Sequence, residues 1–306
     1  MPLQPPLRLL GVDFTSAPLR RKPVAVALGS ANADCVQLDE IRTFAALPGF
    51  GAWLAQPGDW LGAFDLPFGL PRELVDALGW PLDWLPLMRH YAALSRADIR
   101  TTFAAFCAAR PVGGKFAHRA CDAPAGSSPS MKWVNPPVAF MLHAGVPLLI
   151  DAGVHIHGLH AGDPRRVALE AYPGLLAREL IGRRSYKSDE RAKQDAPRRA
   201  ARSELVEALE AGRSRLGFRL QLDDAQREAL IDDPSADRLD AVLCLMQAAW
   251  AATQADFGMP PESDPLEGWI ASAPWPVVAA RPTAVSSAPS QIRGCEAFAS
   301  GPSNGL

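Results

Sequence analysis

The sequence contains little cysteine. Only five cysteines occur among its 306 residues, and no two of them form a C-x-x-C pair. They are Cys35, Cys107, Cys121, Cys244 and Cys295. An odd number of widely spaced thiols argues against a disulfide framework and against a zinc cluster, and it fits a reducing compartment.

The sequence also lacks an excess of charge of either sign. Its formal net charge is −2 and its isoelectric point is about 6.3. A nonspecific nucleic-acid binder usually carries a strong positive field, so this balance counts against tight nonspecific binding. A local basic groove remains compatible with it.

Long apolar runs and familiar phosphate-binding motifs are missing as well. No run reaches the roughly 18 apolar residues that a membrane span needs. The first residues lack the charged start and apolar core of a signal peptide, so we expect a cytoplasmic protein without a membrane partner. The sequence contains no Walker-type loop, no G-x-S-x-G elbow and no Rossmann fingerprint.

The composition is otherwise that of a globular protein with a sizeable core. Hydrophobic residues make up 48% of the chain and charged residues 21%. We predict one domain over residues 1–275, with a mostly helical or irregular insertion at about 72–150. Residues 276–306 are rich in Ala, Ser, Pro and Gly, which predicts a disordered tail.

The first third of the chain predicts an α/β fold with a mixed sheet flanked by helices. Apolar runs predict strands at 7–13, 24–28, 34–44 and 60–66, and the segment 45–56 is compatible with a helix. The first three strands would form an antiparallel meander, with residues 29–33 as the hairpin turn. A helical crossover would then place the fourth strand parallel to the first.

The remaining chain predicts further helices and strands around that sheet. Within the insertion, residues 72–78 and 84–108 have helical character, 111–137 is irregular, and 137–149 begins as a helix. Strands are predicted at 154–160 and 166–171 around a turn, and at 265–273. Helices are predicted at 203–212 and 223–231, and Asp233-Pro234 is a typical start for the last helix.

Four aspartates stand at positions that favour a shared site. Asp13 and Asp65 each end a predicted strand, and parallel neighbours would bring both to one edge of the sheet. Asp237 and Asp240 lie three residues apart near the start of the last helix, on one side of it. Converging carboxylates repel each other, and a divalent cation such as Mg²⁺ relieves that repulsion.

The order of these motifs resembles the ribonuclease-H-like superfamily and, more narrowly, the domain of unknown function 429 family of predicted nucleases. The resemblance covers residues 7 to about 273. Four segments carry it: Gly11–Ser16, Ala63–Pro71, Leu169–Gly174 and Asp237–Ala241. It implies that Asp13, Asp65 and Asp240 form a catalytic acidic core, that Glu170 and Asp237 support it, and that Mg²⁺ or Mn²⁺ is the cofactor.

Each acidic residue also has a purely structural interpretation. Asp13 and Asp65 fit turn positions, and Asp237 fits the first turn of a helix, where the dipole favours an acid. Glu170 follows an apolar strand, where a carboxylate needs a partner. Arg119 or Lys187 could supply that partner in an ion pair.

Basic residues form two further candidate groups. In the insertion, Lys115, His118 and Arg119 could hold substrate phosphate, although a solvated loop with an Arg119–Asp122 pair explains them equally well. Residues 178–202 carry a local excess of positive charge that includes Lys187, which we expect to bind phosphate. Such runs are more often solvated helix faces. Tyr186 could stack on a base, and the three histidines between 155 and 160 are interpreted as structural.

The sequence leaves three functions open. The first is a nuclease that hydrolyses phosphodiester bonds with Mg²⁺ or Mn²⁺ and acts on a nucleic acid or nucleotide. The second is an ATP-dependent phosphotransferase of the same superfamily, although the segment after Asp13 is poor in glycine. The third is a binding module that keeps the fold without the chemistry.

Overall fold

The structure is a computed structural model, and it describes residues 7–275. The strands are β1 Arg8–Asp13, β2 Val24–Asn32, β3 Cys35–Phe44, β4 Trp60–Asp65, β5 Val154–Ile156, β6 Asp163–Glu170 and β7 Arg219–Gln221. The α-helices are α1 Leu47–Leu54, α2 Arg72–Leu78, α3 Trp84–Ala93, α4 Arg96–Ala108, α5 Asp122–Ala125, α6 Val138–Asp151, α7 Pro173–Ile181, α8 Ala196–Glu210, α9 Asp224–Ile231 and α10 Asp237–Ala252. Short 3-10 helices lie at Arg191–Lys193 and Ala255–Gly258.

The strands form one mixed sheet in the order β5-β6-β4-β1-β2-β3-β7. Strands β1, β2 and β3 are an antiparallel meander, and β4 and β6 continue the sheet parallel to β1. The prediction of an α/β fold with a meander, parallel strands and flanking helices is therefore confirmed.

Strict alternation along the central strands separates two cores. Leu9 and Ala63 point to the face covered by α7, α8, α9 and α10, whereas Leu10 and Phe64 point to the opposite face. The helices of the predicted insertion, α2, α3, α4 and α6, cover that opposite face. Because successive strand residues alternate between faces, Asp13 and Asp65 share the face of Leu9 and Ala63, which is the face of α10.

Helix α10 crosses the middle of the sheet at very short range. Every residue from Leu239 to Ala249 is buried, as expected for a helix that is apolar all round. A Cβ atom at Gly11 would collide with the Ala241 carbonyl oxygen and with the backbone of Leu245. The glycine of β1 therefore lets the helix approach and fixes where its first turn lies.

Several predicted boundaries are wrong. Strand β2 continues through the predicted turn to Asn32, and the chain reverses at Ala33, whose φ is +28°. The last helix begins at Asp237, because Asp233 accepts from the Ser235 amide and hydroxyl and so closes a turn before the helix. The segment 84–108 is two helices, because Ser95 and Asp98 form a capping box that starts the second one.

The later strands also differ from the prediction. β5 ends at Ile156 and β6 begins at Asp163, within the predicted turn, and the two strands pair in parallel. The segment 265–273 contributes only an isolated bridge between Glu170 and Ile270, and β7 was not predicted at all. The predicted tail, 276–306, lies outside the described residues. None of the helices within 7–275 is long and apolar enough to cross a membrane.

Candidate active site

Four aspartates meet where α10 begins beside the carboxyl ends of β1 and β4. Asp13 and Asp65 are register partners on these parallel strands, so the prediction that they share one sheet edge is confirmed. Asp237 and Asp240 lie in the first turn of α10, which packs on the same face. We call Asp13, Asp65, Asp237 and Asp240 the aspartate cluster.

Asp240 is fully buried and has two side-chain partners from one neighbouring segment. The Tyr186 hydroxyl donates to Asp240 Oδ1 at 2.6 Å, and the Lys187 ammonium forms an ion pair with Oδ2. Arg202 holds this segment by donating to the Tyr186 carbonyl at 2.8 Å and to the Ile231 carbonyl at 2.6 Å. Lys187 is thus placed as the cation of the cluster, with its side chain 45% exposed.

Asp237 is buried without full pairing. Its Oδ2 atom has no hydrogen-bond partner, although the residue is only 6% exposed. Burial raises its pKa to about 6, and the negative charge of Asp233 adds to that rise. A buried carboxylate oxygen without a donor is costly unless something else binds it.

The electrostatics of the cluster show too much negative charge for one ammonium. Burial, followed by the charge of Asp240, raises the pKa of Asp13 well above its usual value. Burial also raises the pKa of Asp65 to about 7, although Lys187 opposes the rise. Burial alone would lower the pKa of Lys187, but Asp240 outweighs it and raises that pKa well above its usual value.

The donor set of the cluster has the chemistry of a hard-cation site, because carboxylate oxygens are the ligands that Mg²⁺ and Mn²⁺ prefer. The unpartnered Asp237 oxygen and the raised carboxylate pKa values fit a missing positive charge. Within residues 7–275, however, no three His, Cys, Asp or Glu side chains are placed so that they could hold a metal ion as they stand. Both Asp240 oxygens are already engaged.

Glu170 leaves the sheet on the other face. It is the register partner of Phe64, which belongs to the opposite core from Ala63. There the Arg119 guanidinium donates to both Glu170 oxygens, at 2.6 and 2.7 Å, and the Phe68 amide donates at 2.9 Å. The structure thus contains the ion pair with Arg119 that the sequence offered as the structural alternative, and it does not bring Glu170 into the aspartate cluster.

Arg119 is the centre of a second, well-paired group. It is 3% exposed and also donates to Asp122 Oδ1 at 3.0 Å and to the Glu267 carbonyl at 3.1 Å. The Glu267 carboxylate accepts from the backbone amides of Arg72 and Ala120. We call Arg119, Asp122, Glu170 and Glu267 the arginine cluster. It ties the insertion and residues 264–273 to the sheet.

The other predicted phosphate ligands of the insertion lie apart from the aspartates. Lys115 is exposed and lies over the rings of Phe116 and Trp133, 5.4 and 5.9 Å from their centroids. His118 is exposed. Neither lines a cavity that contains Asp65. Their phosphate-binding role stays a prediction.

An open cleft runs along the sheet edge beside Asp65. It has two lobes, of about 470 and 260 Å³, and Asp65, Tyr172 and Lys187 line both of them. The sequence did not indicate Tyr172 as a site residue. Tyr172 lies in the segment Leu169–Gly174 that carries the family resemblance, but the Tyr-Pro-Gly there, after β6 and at the start of α7, otherwise indicates only a strand end.

The chain was compared with known proteins at three levels. No family model, no curated protein and no solved structure matches it. The geometry of the aspartate cluster and its cleft therefore carries the functional argument.

Proposed function

We propose that the chain is a divalent-metal-dependent nuclease of the ribonuclease-H-like type, in line with its resemblance to the domain of unknown function 429 family. The sheet order supports this proposal, because an antiparallel meander of β1, β2 and β3 is extended by β4 and β6 parallel to β1. The acidic residues stand at the ends of β1 and β4 and in the helix that packs across them.

The observation that carries the proposal is the unmatched charge of the aspartate cluster. The charges of Asp13, Asp65 and Asp240 repel one another where β1, β4 and α10 meet, Asp237 lies beside them in the first turn of α10, and the ammonium of Lys187 is paired with Asp240. Burial and the neighbouring negative charges raise the pKa values of Asp13, Asp65 and Asp237 above the usual range. Asp240 has its own donors, whereas Asp237 keeps a buried oxygen without one, and this shortage of donors beside neighbouring acids supports a cation site.

Each residue has a distinct part in this proposal. Asp13 and Asp65 would hold the cation, with Asp237 and Asp240 completing its surroundings. When bound, a divalent cation supplies an activated water and stabilises the leaving oxygen of a phosphodiester. Lys187 would exchange its bond with Asp240 for a substrate phosphate oxygen, and Tyr186 would keep Asp240 in place by its 2.6 Å hydrogen bond.

The test is cleavage of labelled single-stranded and double-stranded DNA and RNA while Mg²⁺ and Mn²⁺ are titrated. Asp13→Asn is the informative variant, and Asp163→Asn is its matched control. Asp163 is the first residue of β6, so it lies at the opposite end of the parallel strands from Asp13 and Asp65. We expect metal-dependent cleavage by the wild type and the control, with a loss of at least about a hundredfold in Asp13→Asn. Equal activity in all three proteins, or none with either metal, would remove the proposal.

The ATP-dependent phosphotransferase has a separate readout. ATP binding measured by calorimetry, together with the absence of nuclease activity, would favour it. No feature of the described residues favours it over the nuclease.

A further inference from the structure

The cleft beside Asp65 has two lobes of different chemistry. One lobe is lined by Arg178, Arg183 and Arg184 together with the start of α7. The other is lined by apolar side chains, Val138, Met141 and Ile270 among them, by Ser127 and Ser128, and by Arg119 and Glu170, which are paired with each other. A ligand with an anionic end and a flat apolar end fits this division, and the combined volume is in the range of about 300–1,000 Å³ of ordinary ligand pockets.

Tyr172 stands between the two lobes, and its ring is held firmly. A Cβ atom at Gly174 would lie 2.6 Å from Tyr172 Cζ and 2.7 Å from its hydroxyl oxygen, so only glycine leaves room for the ring there. The Arg178 guanidinium lies 5.4 Å from the ring centroid. The ring is half-buried and lines both lobes.

Arg178 holds this ring in place, and its guanidinium is hydrogen-bonded to backbone carbonyl groups. It donates to the carbonyls of Ala125 and Gly126 at 3.0 and 2.9 Å and to that of Gly174 at 3.2 Å. Three hydrogen bonds thus fix the guanidinium on the ring, which leaves Tyr172 prepared for a ligand at little entropic cost. Arg178 also lines the first lobe and adds positive charge to it.

Two other residues add positive charge to the first lobe, Lys187 with its ammonium paired to Asp240 and Arg183 without a partner among the described residues. The Lys187 side chain is 45% exposed and lines the cleft, and its ammonium is paired with Asp240, which is 1% exposed. Arg183 is exposed and forms no ion pair or side-chain hydrogen bond with any residue between 7 and 275. A phosphate bound between these two would lie beside Asp65, which lines the same lobe.

We infer that this cleft binds one unpaired nucleotide, with its phosphate between Arg183 and Lys187 and its base against Tyr172 in the apolar lobe. The inference rests on the proposed function and narrows its substrate to a single-stranded or unpaired segment of nucleic acid. A base inside a duplex is stacked on both faces and paired along one edge, so it cannot present a free face to a side chain fixed within a cleft. Tyr172 is then a binding residue that selects unpaired bases.

The experiment measures binding without cleavage. Short DNA and RNA strands that contain the fluorescent base 2-aminopurine are titrated with protein in EDTA at low salt, as single strands and as blunt duplexes. Adenosine monophosphate and inorganic phosphate serve as competitors. The proteins are the wild type, Tyr172→Phe, which keeps the ring, and Tyr172→Leu, which removes it.

We expect single strands to bind at least about tenfold more tightly than duplexes and to quench 2-aminopurine, because the base stacks on the ring. Tyr172→Phe keeps both properties. Tyr172→Leu weakens binding by about tenfold, the size of one lost base stack, and abolishes the quenching. Adenosine monophosphate competes better than inorganic phosphate. The DNA and RNA arms show which sugar the cleft accepts.

A second variant keeps the test valid if Tyr172→Leu fails to fold. Met141→Trp places a larger side chain in the apolar lobe at a half-buried helix position, so it excludes the base and leaves Arg183 and Lys187 unchanged. It should also weaken single-strand binding by about tenfold while competition by inorganic phosphate is unaltered.

The outcomes separate this inference from the proposed function. If single strands bind in a way that depends on Tyr172 but are not cleaved in Mg²⁺ or Mn²⁺, the inference about the cleft holds and the proposed nuclease function is wrong. If the protein cleaves nucleic acid but Tyr172→Leu and Met141→Trp leave single-strand binding unchanged, the inference about the cleft is wrong and the proposed nuclease function holds. Tighter binding of duplexes, or no binding of any strand, overturns the inference.

Discussion

The aspartate cluster and the arginine cluster lie on opposite faces of the sheet next to the same strand ends, and both contain buried carboxylates. In the arginine cluster each acid has its donors: Glu170 is bound by Arg119 and by the Phe68 amide, and Glu267 by two backbone amides. In the aspartate cluster Asp237 keeps an unpartnered oxygen. Burial raises carboxyl pKa values in both clusters, those of Glu170 and Glu267 and that of Asp65 to about 7, so the clusters differ in their donors.

Under the proposed function, this difference separates a cluster that holds elements of the fold together from one that binds a cation. A buried acid that is matched by a guanidinium and by amides has no capacity left for a ligand, and its role is to hold elements together. Buried acids that are left short of positive charge destabilise the empty protein, and a ligand that supplies the charge repays that cost. Each of the following changes tests one side of this contrast.

The largest expected effect is on the arginine cluster. Arg119→Met leaves Asp122 and Glu170 buried without their cation, so the free energy of unfolding should fall by about 3–5 kcal/mol in urea denaturation. Arg42→Met is the control, because Arg42 forms an exposed pair with Glu40. Its urea midpoint should stay at the wild-type value. Equal urea midpoints for both variants would show that the arginine cluster does not stabilise the fold.

The next effect concerns the approach of α10 to β1. Gly11→Ala forces the helix away from the strand and should cost about 1–3 kcal/mol of unfolding free energy. Gly49→Ala is the matched control, since its new Cβ would meet only Phe44 Cδ1, at 3.9 Å. Gly11→Ala should also displace Asp240 from Asp13 and reduce metal-dependent cleavage. Stability and cleavage equal to those of Gly49→Ala would contradict the close approach.

The pH dependence of stability tests the unmatched charge. The pKa of Asp65 is about 7 in the folded protein, above the usual aspartate value of 3.8. Between these two pH values the native state therefore binds more protons than the unfolded state. Stability should therefore fall as the pH rises from about 4 to 7, and Asp65→Asn should remove at least about 1.4 kcal/mol of that fall. Urea titrations at several pH values in EDTA provide the measurement.

Two comparisons make this pH test specific. Asp163→Asn, at the opposite sheet edge, should keep the wild-type slope, and added Mg²⁺ should flatten the slope of the wild type. If the pH dependence of stability is the same in Asp65→Asn and the wild type, the charge of Asp65 is balanced by the surrounding protein.

The smallest effect is expected at Lys187. Its ammonium occupies Asp240 Oδ2, so it competes with a divalent cation for that oxygen. Lys187→Met should raise the affinity for Mn²⁺ by about threefold to tenfold and lower the affinity for nucleic acid. Calorimetry with each ligand separates the two effects. Weaker Mn²⁺ binding in this variant would mean that Lys187 does not act as the cluster's own cation.

Local patterns in the sequence were sufficient to predict the frame of the site. The apolar runs that end in Asp13 and Asp65 predicted both strands and their common edge, because a parallel pair aligns its carboxyl ends. The period of the apolar residues placed Asp240 in a helix. These inferences need only neighbours in the chain.

Partners distant in the chain could not be predicted in the same way. Glu170 was grouped with the aspartates, because nothing local shows that it leaves the sheet on the face of Arg119, 51 residues away. Tyr186 and Lys187 bind Asp240 across more than fifty residues of chain, and Gly11 matters only because α10 crosses it. The start of that helix was misplaced because Asp233 closes a turn of its own.

The most direct test of the central claim is a calorimetric titration of the protein with Mn²⁺ near pH 7.5. The wild type and Asp163→Asn should bind the ion with equal affinity, whereas Asp13→Asn should bind it at least roughly tenfold more weakly, since loss of even an outer-shell partner costs that much. Equal Mn²⁺ affinity in all three proteins, or no binding by the wild type, would contradict the claim that the aspartate cluster is a cation site.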